Sequence, residues 1–339
     1  MAKAHEPPQS VLVYVGLDRI GDGLLKLPFV RGLRQAFPQA KITWLAGKDT
    51  SVYGGVMAPL VAGLLDEVIG KAGIGLHPKE LLRRPLGGRR FDLIIDTQRV
   101  ALASLVLFRI RHEKFISPFG RFFLSSTKPP AGYRFPRPMQ RQMLDLLEMA
   151  SGQEFPTPDG LEINLDEELE RTAQSLLPPG PVYLGLAPGA GGKPKCWPLE
   201  NFISLANQQA AAGRIPVFFL GPQEEDWHSE LARAVPQALF PLQTDDVGRR
   251  HDFAPSLTIA LAKYLAVAVS NDSGAGHMLA IGGVPLVSLF GRTVPEKFVP
   301  MARRLEIIRA QDHGGREMHF IPLAPVSEAV EMLLAEPGS

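Results

Sequence analysis

Short apolar, β-branched runs alternate with segments of helical spacing along nearly the whole chain, and that alternation leaves few folds open. Residues 11–16 read as a buried parallel strand. The chain turns through residues 17–23 into a helix marked by Leu24, Leu27, Val30, Leu33 and Phe37, and Pro38 stops it. Residues 42–46, 67–69, 92–96 and 114–117 predict further strands, with helices within 56–65 and over 101–110. Strand and helix in turn predict a parallel sheet with helices on both faces.

The alternation pauses over residues 117–142, which hold five prolines, several aromatics and no acid, and read as a long loop. Helices at 139–150 and 167–177 lead to Pro178-Pro179-Gly180-Pro181, the best boundary in the chain. The pattern then restarts. Strands are expected at 182–187, 216–220, 265–270, 284–290 and 305–308, with helices at 199–212, 224–234, 256–263 and 325–335. The expected class is α/β, two Rossmann-like doubly wound parallel-sheet domains, 1–177 and 178–339. Their ligand cleft lies between the carboxyl ends of both sheets. The terminal helix could pack back on the first domain.

Composition narrows the function. A chain of 339 residues that is 45% hydrophobic and 21% charged is globular. Its formal charge of +1 gives no global pull toward nucleic acid, so a basic site must be local. One cysteine, Cys196, rules out an intramolecular disulfide framework and fits a reducing compartment. The polar first ten residues lack the core of a signal peptide, and the longest apolar runs fall well short of the ~20 residues a membrane span needs. The expectation is a cytoplasmic protein, at most peripheral at a membrane.

Five stretches could carry chemistry. Asp22, between Gly21 and Gly23, lies where the first strand passes into its helix; a carboxylate there can accept a proton, or serve only as a first-turn acid. Gly189, Ala190 and Gly191, followed by Lys193 and Lys195, make a flexible loop that can approach an anion, or an exposed turn with solvated lysines. At 269–277, Asn271, Asp272 and Ser273 precede Gly274, Gly276 and His277, with a short helix beginning at Met278. That corner can face a diphosphate with backbone N–H groups, or satisfy only itself. Glu224, with Glu225 beside it, ends a strand where an acid can meet ribose hydroxyls, or is a surface acid at a helix start.

The acid-free loop carries Arg121, Lys128, Arg134, Arg137 and Arg141 with Phe119, Phe122, Phe123, Tyr133 and Phe135 interleaved. Arginines bind phosphates and carboxylates in bidentate fashion. The rings suit sugar faces or a lipid headgroup region. Arg121, Lys128, Arg134 and Arg137 are the acceptor-side candidates. His112, His228, His251, His277, His313 and His319 are scattered, so no metal site is expected. A divalent ion bridging phosphates stays open.

Three of these stretches together resemble glycosyltransferase family 9, the lipopolysaccharide heptosyltransferases. The first is Leu17-Asp-Arg-Ile-Gly-Asp-Gly-Leu-Leu-Lys-Leu-Pro28 followed by residues 33–38. The second is residues 185–191 with Lys195-Cys-Trp-Pro198, and the third Asn271-Asp-Ser-Gly-Ala-Gly-His277 with residues 283–291. Each is weak alone; three in order, each at a strand end, are specific. The resemblance implies a GT-B fold and an inverting transfer from a nucleotide-activated heptose, typically ADP-heptose, to the lipopolysaccharide inner core. It implies Asp22 as catalytic base and Lys195 at the donor phosphates. Asp272, Ser273, Gly274 and His277 fall around the diphosphate and ribose, and Glu224 matches the ribose-facing acid. The sequence departs at Ser273, Gly276, Cys196 and Arg292, where threonine, a less flexible residue, a larger residue and proline are common. No tightly bound cofactor is implied. The implied partners are the nucleotide-sugar donor, a lipopolysaccharide or other anionic glycan acceptor, and the inner face of the cytoplasmic membrane, with no nucleic acid. A nucleotide-sugar epimerase of the same architecture and a noncatalytic nucleotide-binding subunit are the competing readings. A dinucleotide oxidoreductase is disfavoured by the missing Gly-x-Gly-x-x-Gly.

Overall fold

The computed structural model describes residues 6–244 and 255–335. His251 and the first five residues lie outside them. The chain divides into two compact units, Met1–Pro158 and Asp159–Ser339.

The first unit runs β1 (Ser10–Val15), α1 (Ile20–Ala36), β2 (Lys41–Ala46), β3 (Glu67–Ile69), β4 (Arg90–Asp96), α2 (Ala101–Phe108), β5 (Arg111–Ile116) and α3 (Met139–Ser151). Its strands pair in parallel in the order β3-β2-β1-β4-β5. Residues 11–15 are almost completely buried on both faces, which explains their unbroken apolar run. Strand order reverses between β1 and β4, so the chains leaving these two strands open a crevice at their carboxyl ends. The helix expected within 56–65 does not form. Pro59 and Gly63, at φ 74°, break it, and one 3₁₀ turn, Ala58–Val61, takes its place, after another at Val52–Gly54.

The second unit holds α4 (Glu167–Leu176), β6 (Tyr183–Ala187), α5 (Leu199–Ala211), β7 (Ile215–Phe218), α6 (His228–Ala234) and α7 (Pro255–Ala262). It continues through β8 (Leu265–Asn271), α8 (Gly274–Ile281), β9 (Leu286–Phe290), β10 (Leu305–Arg309) and α9 (Leu323–Ala335). The parallel order is β10-β9-β8-β6-β7, with its reversal between β8 and β6.

The units meet in sequence at 158/159, and Leu169, Ala173 and Leu177 of the α4 segment share a core with Leu257, Ala260 and Leu261 of α7. The terminal helix α9 packs within its own unit. Val326, Val330 and Leu333 join Trp197, Phe202 and Leu205, and Arg214 clamps Glu331 with an Nη2–Oε2 distance of 2.8 Å.

Candidate active site

In the second unit the two loops flanking the strand-order reversal are latched by one side chain. Asn271 ends β8 fully buried. Its Oδ1 accepts the Trp197 N–H at 3.0 Å, and its Nδ2 donates to the Pro188 carbonyl at 2.7 Å. One carboxamide thus spans both ends of the 188–197 loop. Trp197 is fixed again from beneath, where its Nε1 donates to the Ile321 carbonyl at 2.8 Å.

Between these anchors the loop makes a 3₁₀ turn, Lys193–Lys195, and carries both lysines exposed. Gly191 adopts φ 64°, a left-handed conformation that favours glycine. Gly189 is small for another reason. A Cβ there would overlap the Glu224 carboxyl group, which also lies against Gly221 at the end of the β7 segment. Burial raises the Glu224 pKa, and the Gly221 and Glu224 backbone N–H groups partly offset that. The same acid and burial push the Cys196 thiol up.

A cavity of about 350 Å³ opens at these strand ends, lined by Gly191, Gly192, Pro194, Lys195, Asp272, Gly291, Arg292, Thr293 and Met318. It brings together Lys195, Asp272 and Gly191 from the sequence-derived set. A wider depression of about 680 Å³ lies by Asp159, Gly160, Ala302 and Arg303. Arg303 precedes β10, so that depression is at the amino end of the strands, away from the loops where parallel sheets bind ligands.

The corner after β8 is tighter than its glycines imply. Helix α8 begins at Gly274, four residues before the expected Met278. Ser273 is its N-cap, with the Gly276 N–H at 3.4 Å from Oγ. Gly276 is there for contact rather than flexibility, since a Cβ would overlap the Ser270 hydroxyl and meet the Asn271 carbonyl at 3.2 Å. His277 is buried in the first turn, and burial lowers its pKa to about 4, so the ring is neutral at neutral pH. The first-turn N–H groups of Gly274 and Ala275 have no acceptor within the helix.

In the first unit Asp22 sits in the first turn of α1, half-buried, its Oδ2 3.5 Å from the Arg19 N–H. The turn that carries it is held by Asp18, whose side chain is sealed from water. Asp18 pairs with Lys26 and accepts Trp44 Nε1 at 2.7 Å and Ser51 Oγ at 2.8 Å. Gly23 is walled by Val52, 2.8 Å from any Cβ, and its carbonyl accepts the Tyr53 hydroxyl at 2.6 Å.

The acid-free stretch is irregular, as expected, but it is built. Phe122 is buried against Tyr133 and Phe135, at ring separations of 5.7 and 6.4 Å. Lys128 donates to the Phe122 and Phe123 carbonyls, and Arg141 pairs with Asp145 and Glu148 of α3. Arg121, Arg134 and Arg137 are exposed, and Arg99 lies 4.8 Å from the Phe135 ring centre. Among the described residues no group of three or more His, Cys, Asp or Glu side chains is placed to hold a metal.

Sequence reasoning missed the Asn271 latch, the Asp18 hub and the contribution of Thr293 and Met318 to the cavity. Only Asn271 gave a signal, as a buried-strand residue with a polar side chain.

A family model described as "Glycosyltransferase family 9 (heptosyltransferase)" matches residues 80–319. The chain is 24% identical over 312 residues to lipopolysaccharide heptosyltransferase 2 of Escherichia coli, covering 88% of this chain and 87% of that one. It is 29% identical over 167 residues to lipooligosaccharide heptosyltransferase 2 of Haemophilus influenzae, spanning 45% of this chain and 47% of that relative. In structure it is similar to a glycosyl transferase family 9 protein from Veillonella parvula, with a TM-score of 0.70, 21% identity and 96% and 97% of the chains covered. It is also similar to E. coli ADP-heptose lps heptosyltransferase II, with a TM-score of 0.64, 22% identity and 96% and 98% covered. With signature residues at the carboxyl ends of two doubly wound parallel sheets, the chain belongs to glycosyltransferase family 9 (heptosyltransferase) and is a glycosyltransferase of the GT-B class.

Proposed function

We propose that the protein transfers a heptose, or a closely related sugar, from an ADP-activated donor to a lipopolysaccharide core or similar anionic glycan, with inversion at the anomeric carbon. The observation that carries the reading is the cavity at the second sheet's strand-order reversal, where Lys195, Asp272 and the Gly191–Gly192 backbone converge. Two structures similar in fold are of an E. coli heptosyltransferase, with ADP and with ADP-2-deoxy-2-fluoro heptose. Those ligands support an ADP-sugar as the donor here.

In this reading Asp22 takes the proton of the acceptor hydroxyl as that oxygen bonds to the anomeric carbon and the bond to the diphosphate breaks. The transition state carries oxocarbenium character, as in other glycosyl chemistry. Negative charge grows on the departing diphosphate. Lys195, the Gly274 and Ala275 N–H groups and the positive end of α8 are the groups that meet it, with Lys193, Asp272 and the Ser273 hydroxyl close by in sequence. Gly189, Ala190 and Gly276 keep the backbone close to the donor. Glu224 faces the ribose hydroxyls. His277 supports the corner as a neutral ring. On the acceptor side Arg121, Arg134 and Arg137 bind phosphates, while Lys128 holds their turn in shape. The protein works at the inner face of the cytoplasmic membrane, attached peripherally.

The test is to incubate the protein with ADP-heptose, ADP-glucose and UDP-sugars, each with and without a heptose-deficient core acceptor. ADP release and a glycosylated product that both require the acceptor, with an inverted linkage by NMR, are the expected result. Turnover of donor without acceptor overturns transfer in favour of epimerisation. A UDP-sugar preference overturns the assigned nucleotide, and a retained linkage overturns the single displacement.

A further inference from the structure

The turn at residues 117–126 displays one aromatic ring to water. Phe123 is 77% exposed, while its neighbours Phe122 and Leu124 are buried and half-buried. The backbone that displays it is strained. Gly120, Arg121 and Phe122 follow one another at φ 58°, 56° and 65°, and two of the three carry side chains that disfavour this region.

That conformation is held from several sides. The Ser117 N–H donates to Ser125 Oγ and the Ser125 hydroxyl to the Ser117 carbonyl, both at 2.8 Å. The Ser126 N–H donates to the Phe115 carbonyl at 2.8 Å, and the Phe115 N–H donates to Ser126 Oγ at 2.9 Å, which staples the stem to β5. Ser117 Oγ donates to buried Asp96 at 2.7 Å. The Phe122 ring is the plug, and Lys128 caps the carbonyls of Phe122 and Phe123. Phe123 is therefore presented by a fixed turn and is not left over on a loose one.

Its segment is cationic. Arg121 precedes it, Arg134 lies between the two rings that pack on Phe122, and Arg99 stacks on one of those rings. From residue 114 to residue 141 there is no acid. A projecting ring on an acid-free, arginine-rich segment suits an anionic bilayer surface. The ring enters the boundary between headgroups and acyl chains, and the arginines meet lipid phosphates.

We propose that the 117–126 turn docks the protein on an anionic membrane surface, with Phe123 as the inserted residue. The inference rests on the acceptor-side reading above for its purpose. Vesicle binding is measured without donor or acceptor, so failure of one is distinguishable from failure of the other. A soluble phosphorylated glycan or an acidic protein would engage the cations and leave Phe123 in water.

The experiment is flotation of the full chain with vesicles of phosphatidylcholine alone and of phosphatidylcholine mixed with phosphatidylglycerol. Binding to the mixed vesicles only, weakening as salt is raised, is the expected result. Phe123→Asp should lower it about tenfold or more, and Arg121→Glu should lower it as well. Phe123→Trp supplies a direct reading: binding is kept and its added emission shifts to the blue on the vesicles. Trp44 and Trp197 are buried and Trp227 half-buried, so the parent's spectrum is subtracted. A parent that floats with neither vesicle overturns the proposal. So does a Phe123→Asp variant that floats like the parent, or a Phe123→Trp emission that vesicles leave unmoved. That last result, with binding still dependent on Arg121, assigns the cations to a partner in water.

Discussion

Asp22 meets the Arg19 N–H at 3.5 Å, too long to be the purpose of the side chain. Asparagine keeps the shape and the acceptor oxygen but cannot take a proton. Asp22→Asn should bind ADP as the parent does and lose ~10²–10⁴-fold in kcat. Calorimetric titration with ADP beside steady-state kinetics checks both halves, and near-parent turnover would place the base elsewhere. At this scale the sequence was legible in placement: Lys195 and Asp272, read in separate motifs, line one cavity. It was silent on Asp18. An acid four residues before Asp22 shows only its charge, whereas its partners Lys26, Trp44 and Ser51 come from three separate segments. Gly276 misled for a related reason: its constraint is the Ser270 hydroxyl across the corner, which no local pattern reveals.

Among the elements, the central strands were readable to within about two residues, because burial on both faces leaves a run of apolar side chains and little else, whereas β5, exposed at its start, begins at Arg111 and not at 114. Segment 56–65 was not readable, since its apolar spacing suits a helix while Pro59 and Gly63 leave only a 3₁₀ turn; 224–234 is helical, its first turn 3₁₀ and the rest α6. The loop at 188–197 and the corner at 271–277 were read as two separate motifs. Asn271 makes them one element. Asn271→Ala strips a buried N–H of Trp197 and a carbonyl of Pro188 of their partner, at a cost of about 1–3 kcal/mol for each group left unsatisfied. The expected result is a lower Tm together with a donor KM raised more than kcat is lowered. A lowered Tm with an unchanged KM would show that the latch holds the fold and does not position the loop.

For the molecule as a whole, one buried group in each unit ties stability to pH between 4 and 7, Asp96 in the first and His277 in the second, and their shifts act oppositely. Burial raises Asp96 from 3.8 to about 6, against hydrogen bonds from Ser104, Gln98 and Ser117 that favour its charge. The folded first unit therefore holds this proton more tightly than the unfolded chain, and its stability falls as pH rises from about 4 to 6. Burial lowers His277 from 6.5 to about 4, so the second unit is most stable above 6.5 and loses stability as pH falls toward 4. Each change is worth roughly 3 kcal/mol, at about 1.4 kcal/mol per tenfold. Relative to the parent, Asp96→Asn should gain stability as pH rises through that window, and His277→Asn should lose it. Chemical denaturation across pH 4 to 7 reads both slopes, and parallel slopes for the two variants would refute the assignment.

The cavity residues Arg292 and Thr293 stand on the loop after β9. The Arg292 Nη2 lies 2.6 Å from Glu317 at an exposed pair, which contributes little to the fold. Substitutions there can accumulate without endangering the sheets, whereas Gly189, Gly276 and Asn271 are fenced by buried neighbours. The rim formed by Arg292 and Thr293 is thus where this cavity can be reshaped at the least cost to the fold.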